Sequence, residues 1–393
     1  MASPGGAARD TSLAELARLF LKLGVIGFGG PAAHIALIED EVVQRRQWLT
    51  RDEFLDYVGA TNLMPGPNST ELAIQIGRDR AGWPGLLVAG ACFILPAAVI
   101  VTLLAWGYGR FGQLPDVVAV LSGVKAVVIA VVLQALWRLG RTAIKSAWLG
   151  LLALASAVAA LAGVHELLVL LGAAVVAAAV STADRGGPGS AAGIIAPSGT
   201  AAPVISAAAL GSAVVATPVS LLPLFGVFLK IGSLIFGSGY VLLAFLRADF
   251  VERLGWLTEQ QLLDAVAVGQ ITPGPVFTTA TFIGYLLSGV PGAAVATLGI
   301  FLPAFAFVAV SGPVVRRIRQ SRIAGAALDG VIVASLALMA VVTWQLGRAA
   351  IVDVFTAAIA IASGVLLFTG RVTPAWLVAG GALAGYLSGV VTR

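Results

Sequence analysis

Charge is scarce in this sequence. Only 11% of its 393 residues are Asp, Glu, Lys or Arg, whereas a soluble domain carries about 25%. So few charges cannot cover a water-facing surface on a chain of this length, so much of that surface faces lipid. Cysteine is represented by Cys92 alone, which excludes an intramolecular disulfide framework and a thiolate metal site. The two histidines, His34 and His165, lie far apart, and no metal is expected. There is no Gly-x-Ser-x-Gly elbow, redox pair or cofactor motif, so neither an embedded enzyme nor a bound cofactor is expected. The opening MASPGGAARDTSLAEL lacks the basic-then-apolar order of a secretory signal, and the chain is expected to insert through its own spans. The 24 basic and 19 acidic residues leave a net +5. The basic ones form short clusters between apolar runs, which suits membrane loops and not a nucleic-acid partner.

What is present is a set of long uncharged runs, at 81–109, 146–165, 186–229, 265–315, 354–370 and 372–392. A helical span takes about 20 residues, so each run holds one or two. The sequence predicts an all-α polytopic membrane protein whose partner is the lipid bilayer.

The chain repeats itself. Phe20-Leu-Lys-Leu-Gly24 returns as Phe228-Leu-Lys-Ile-Gly232, Trp48-Leu-Thr50 as Trp256-Leu-Thr258, Asp56 as Asp264, and Pro65-Gly-Pro67 as Pro273-Gly-Pro275. Farther on, Gly82, Pro84, Pro96, Gly123 and Trp137 correspond to Gly289, Pro291, Pro303, Gly330 and Trp344. The expected organisation is a first repeat over 11–183, a Gly/Ser/Pro/Ala-rich linker with a connecting transmembrane helix over 184–217, and a second repeat over 218–393. Arg45, Arg46, Arg51, Arg78, Arg80, Arg138, Arg141 and Lys145 load loops whose counterparts are nearly bare. The reverse holds at Arg316, Arg317, Arg319 and Arg322. Under the positive-inside rule the repeats insert upside down relative to each other, the plan of secondary transporters.

Paired interruptions mark the candidate site. Asn62, Pro65, Gly66, Pro67, Asn68, Ser69 and Thr70 in the first copy, and Gln270, Gly274, Thr278 and Thr279 in the second, surround Pro-Gly-Pro turns inside short apolar segments. Proline cannot continue a helix, so half-helices are expected to meet there, with Asn68, Ser69 or Thr70 capping the second. A half-helix N-terminus at membrane depth favours an anion; the alternative is a simple kink. Gly29, Gly30 and His34, mirrored by Gly237 and Ser238, mark a second break. His34 is expected either to touch substrate or a proton, or to be a hydrogen-bonded structural group. Lys22, Lys125 and Lys230 are intramembrane cations that could balance a dianion, the alternative for Lys22 and Lys230 being snorkelling to the interface. Glu71 is the candidate for proton coupling. Asp56 and Asp264 read as helix N-terminal charges, and Trp48 and Trp256 as interfacial anchors.

These motifs together, with Arg45-Arg-Gln-Trp-Leu49 and Phe93-Ile-Leu-Pro96, resemble the chromate ion transporter family in its long two-domain form. The resemblance spans about Thr11 to Arg348. It departs at Glu71, where the family often has glutamine, and at Phe236-Gly-Ser-Gly239, which lacks the Gly-Gly-Pro of the first copy. It implies a multi-pass protein of the bacterial inner membrane that exports chromate, driven by the proton motive force. The other reading is transport of a related oxyanion such as sulfate or molybdate. A homodimer is the expected assembly.

Overall fold

The computed structural model describes residues 11–28, 30–183, 219–236, 239–370 and 372–391. Gly29, Gly237, Ser238 and the expected linker and connecting helix over 184–217 lie outside the described residues. Among those residues there is no strand, and the chain is an all-helical membrane protein built from two structural repeats.

The first repeat opens with α1 (Leu13–Ile26), capped by the Ser12 side chain, which accepts from the Glu15 N–H. Its buried stripe of Leu16, Leu19, Phe20 and Leu23 follows helical spacing. α1 ends at Gly27, and after the break α2 (Gly30–Glu39) runs into a π-helical turn at Asp40–Arg45. A capping box of Thr50 and Glu53 starts α3 (Arg51–Thr61), which leads to the first Pro-Gly-Pro turn.

Next comes α4 (Asn68–Phe111), 44 residues that do not form one rod. At Ala81 and Gly82 the backbone leaves the helical region, Gly82 taking φ 63°. A Cβ on Gly77 would collide with the Gly85 carbonyl, although these residues would stand about 12 Å apart along a straight helix. α4 is therefore a hairpin of a short arm, 68–80, and a long arm, 83–111. At about 1.5 Å per residue the short arm is roughly 20 Å long, enough to reach from the membrane middle to its surface. α5 (Pro115–Ala143), α6 (Ala147–Leu161) and α7 (Glu166–Ala183) complete the repeat.

The second repeat reproduces this order in α8 (Leu221–Leu234), α9 (Leu242–Leu246) with its π-helical turn Arg247–Arg253, α10 (Glu259–Ile271), α11 (Thr279–Gln320), α12 (Arg322–Ala350), α13 (Val354–Phe368) and α14 (Pro374–Val391). α11 is again a hairpin, broken at Ser288 and Gly289 and clasped by Thr281 and Thr297, whose hydroxyl oxygens lie 2.7 Å apart.

The repeats are inverted. α5 and α12 correspond in sequence, yet Ile129 of α5 packs beside Gly347 of α12 while Lys145, just beyond α5, lies 2.9 Å from Asp329 near the start of α12. As one helix advances the other retreats, so equivalent spans cross in opposite directions. The repeats also exchange their last helices. Gly123 of α5 packs against Gly381 and Gly385 of α14, and Gly330 of α12 against Ala173 and Ala177 of α7. The small residues let these backbones approach closely.

Candidate functional site

The Pro-Gly-Pro turns sit at the junction of the repeats. Gly66 and Gly274 take φ 140° and 92°, a region that side chains avoid. Each N–H donates across the boundary, Gly66 to the carbonyl of Ile235 at 2.8 Å and Gly274 to that of Gly27 at 2.7 Å. Each turn is thus held by the broken end of the other repeat's first helix.

The half-helices expected at the first turn are present: α3 ends at Thr61 and the next helix starts at Asn68. Its cap position falls on Pro67, without a side-chain hydrogen bond. The expectation that Asn68, Ser69 or Thr70 caps this helix is corrected, because the chain has already entered the helix at Asn68. The Pro67 carbonyl accepts from the Thr70 and Glu71 N–H groups. Those of Asn68 and Ser69 belong to the first turn, where no helix carbonyl can serve them.

A cavity of about 330 Å³ opens where the turns meet, within the usual range for small-ligand sites, roughly 300–1,000 Å³. Asn62, Pro67, Asn68 and Ser69 line it from the first repeat, Pro275, Val276 and Phe277 from the second turn, and Pro31, Ile35 and Gly239 from the two helix breaks. Its long wall is a stripe of α5, Val131, Gln134, Ala135, Arg138, Leu139 and Thr142. A second cavity of about 260 Å³ shares Asn62, Leu139 and Thr142 and extends to Lys145 and Asp329. Arg138 lines this cavity and has no carboxylate within ion-pair distance among the described residues.

Not every expected ligand reaches this cavity. Lys22 lies 2.6 Å from Glu41, which Arg46 also contacts at 2.8 Å. Lys230 donates to Asp249 Oδ1 at 2.6 Å, and Arg253 meets the same oxygen at 2.6 Å. The two networks are equivalent in the repeats, and each ties a first helix to the π-helical turn. Neither lysine lines the cavity, and each already has a carboxylate to neutralise it. Lys125 is fully buried against Asp264 at 2.8 Å. Asp264 is therefore not a helix N-terminal charge, a correction to the sequence expectation: its position inside α10 aims it at a cation from the other repeat. His34 is buried behind the wall, 2.8 Å from the Gly27 carbonyl through Nε2 and 3.3 Å from the Ser69 hydroxyl through Nδ1, where it orients Ser69.

Glu71 is completely buried, and neither carboxyl oxygen has a hydrogen-bond partner among the described residues. It sits against Gly66. Its counterpart Thr279 bonds back to the Val276 carbonyl at 2.8 Å, and Thr278 to that of Pro275. Pro65, Gly66, Thr70, Gln270 and Gly274 belong to or flank the turns and Gly30 opens α2; none of them lines the cavity. Arg138, Gln134 and Thr142 are cavity-lining residues that the sequence reading did not mark as candidates. Their signal was the spacing that places them on one face of α5.

The chromate transporter family model matches residues 14–178 and 222–386, once for each repeat. The chain is 32% identical over 392 residues to the chromate transport protein of Cupriavidus metallidurans, covering 96% of this chain and 93% of that one. It is also 32% identical over 340 residues to the chromate transport protein of Pseudomonas aeruginosa, covering 86% and 82%. Identity is 31% over 359 residues to the probable chromate transport protein of Synechococcus elongatus, covering 88% and 87%. No solved structure matches this chain. A repeated family match and relatives aligned over nearly the whole length agree with the two inverted repeats: the chain belongs to the chromate transporter family, whose members are transport proteins and not enzymes.

Proposed function

We propose that this protein carries chromate out of the cytoplasm across the bacterial inner membrane, loading it in the cavity between the two Pro-Gly-Pro turns. The observation that supports this most strongly is Arg138, a cation on the cavity wall with no carboxylate at ion-pair distance among the described residues. A tetrahedral dianion there would meet the Arg138 guanidinium, the Asn62 and Asn68 amides and the free N–H groups at the start of the 68–80 arm. The choice of chromate rests on the similarity to chromate transport proteins. The positive-inside rule puts the Arg138–Arg141–Lys145 end of α5 in the cytoplasm, so the cavity and its continuation toward Lys145 face the compartment from which an exporter loads.

Rocking of the two repeats about the turns would alternate access. The membrane potential, negative inside, favours the outward anion by about 2.3 kcal/mol per charge per 100 mV. Glu71 is the group through which protons would couple. An ionised carboxylate without a partner is costly in an apolar interior, so its ionisation and its exposure are linked.

The test is uptake of labelled chromate into everted membrane vesicles, with sulfate as competitor and with or without a proton gradient. Saturable accumulation that responds to the gradient is expected. If labelled sulfate or molybdate moves and chromate does not, the substrate is the other oxyanion.

A further inference from the structure

One cluster of buried polar groups outside the cavity joins the two repeats. Lys125 Nζ lies 2.8 Å from Asp264 Oδ1, with the two side chains only 4% and 5% exposed. Tyr108 donates its hydroxyl to the other oxygen, Oδ2, at 2.7 Å, and its ring packs edge-on against Phe282. Three elements from both repeats converge here: α5 and the long arm of α4 from the first, α10 from the second.

The internal symmetry does not produce this cluster. The counterparts of Lys125 and Tyr108 are Ile332 and Val315, and that of Asp264 is the exposed Asp56. Stability does not account for it either, since well-packed apolar residues in place of a buried ion pair are often neutral or stabilising. Its position is informative. Along α5, Lys125 precedes the cavity-lining stretch by six residues, about 9 Å, on the side away from the Lys145 mouth. Asp264 sits on α10, which leads within a few residues to Pro275, Val276 and Phe277 of the cavity wall.

An ammonium and a phenol hydroxyl converging on two oxygens of one anion are the donors an oxyanion requires. We propose that Lys125 and Tyr108 form a second oxyanion-binding station, occupied in this conformation by the Asp264 carboxylate, which receives the transported oxyanion when α10 withdraws. This rests on the transport reading above and extends it. Asp264 acts as a tethered substitute for the substrate: it keeps Lys125 paired between passages and closes the route beyond the cavity. Passage exchanges one anion for another on the same two donors.

Equilibrium binding of labelled chromate to the purified full-length protein tests this. Arg138→Gln alone is expected to weaken binding at the cavity. Adding Asp264→Ala to it empties the station and is expected to restore saturable binding at least tenfold tighter than in Arg138→Gln, and further addition of Lys125→Met to abolish it. Folded Asp264→Ala/Arg138→Gln protein without restored binding would overturn the station. Parent affinity that is unchanged by Arg138→Gln would count against the cavity instead, so the two failures are distinguishable. Should Asp264→Ala not yield folded protein, Tyr108→Phe decides, because it keeps the ion pair. It is expected to slow transport at least fivefold with chromate affinity unchanged, whereas a parental rate would show the cluster to be structural only.

Discussion

Gly66 donates its backbone N–H to the carbonyl of Ile235, 2.8 Å away and in the other repeat. The reciprocal bond from Gly274 to Gly27 makes the site a joint product of both halves: neither repeat alone fixes its own turn. The rocking proposed above would need such a fixed pivot, and backbone bonds would supply it without spending side chains that the substrate could use.

Gly66→Ala is therefore expected to be destabilising by about 1–3 kcal/mol, the usual scale for a side chain forced into a sparsely populated backbone region. The new Cβ would also stand 2.5 Å from the Glu71 carboxyl. Thermal unfolding of detergent-purified protein measures this, and a melting temperature equal to the parent's would show that the turn relaxes freely.

Arg138→Gln removes the cavity's cation while leaving α5 intact, because this side chain is exposed and a glutamine suits a helix. Loss of a charge-assisted hydrogen bond is worth about 2 kcal/mol, or roughly thirtyfold in apparent affinity. The KM for chromate should rise by that order with the amount of folded protein unchanged.

Lys22→Ala and Asp249→Asn separate stabilising charges from substrate charges. Lys22 is half-exposed, and Glu41 keeps Arg46 without it, so stability should fall by less than about 1 kcal/mol and KM should not move. Asp249 is 1% exposed and serves both Lys230 and Arg253. Its loss should cost about 2 kcal/mol, short of the figure for a fully buried pair because both cations reach solvent, again with KM unchanged in the surviving protein.

The Glu41 network has a pH signature. Burial raises the affinity of this carboxyl for a proton, but the hydrogen bond and charge of Lys22, then the charges of Arg46 and Arg45, outweigh it and hold the group below its ordinary value of 4.5. A carboxyl depressed in the folded state contributes stability above its ordinary value and loses it as pH falls through the folded one. Unfolding midpoints of the parent and Glu41→Gln should differ most at neutral pH and converge below pH 4.5; a constant gap would exclude the linkage.

Glu71→Gln should retain downhill chromate movement and lose the response to a proton gradient. Transport that follows the gradient as in the parent would remove Glu71 from coupling.

The repeat, the helix breaks and the Pro-Gly-Pro turns were legible in the sequence because proline and glycine act on the backbone wherever they stand. Charge partners were not. Lys22 and Glu41 are separated by 19 residues and meet only because the chain folds back at Gly27. Asp264 could not be matched to Lys125 without knowing that the repeats interlock. Arg138 was legible as a topological signal at the end of α5; that the same helix face lines the cavity emerges only when both turns are in place. The reversal in α4 was legible in part: Arg78 and Arg80 mark a loop just before Ala81 and Gly82, whereas the positive φ of Gly82 that makes the turn emerges only in the structure.

The most direct test locates the anion. Crystals grown with chromate, measured at the chromium absorption edge, are expected to show an anomalous peak in the cavity between Arg138 and the Asn62–Asn68 pair. A peak beside Lys22 or Lys230, with the cavity empty, would contradict the account and return the substrate to the cations that the structure pairs with Glu41 and Asp249.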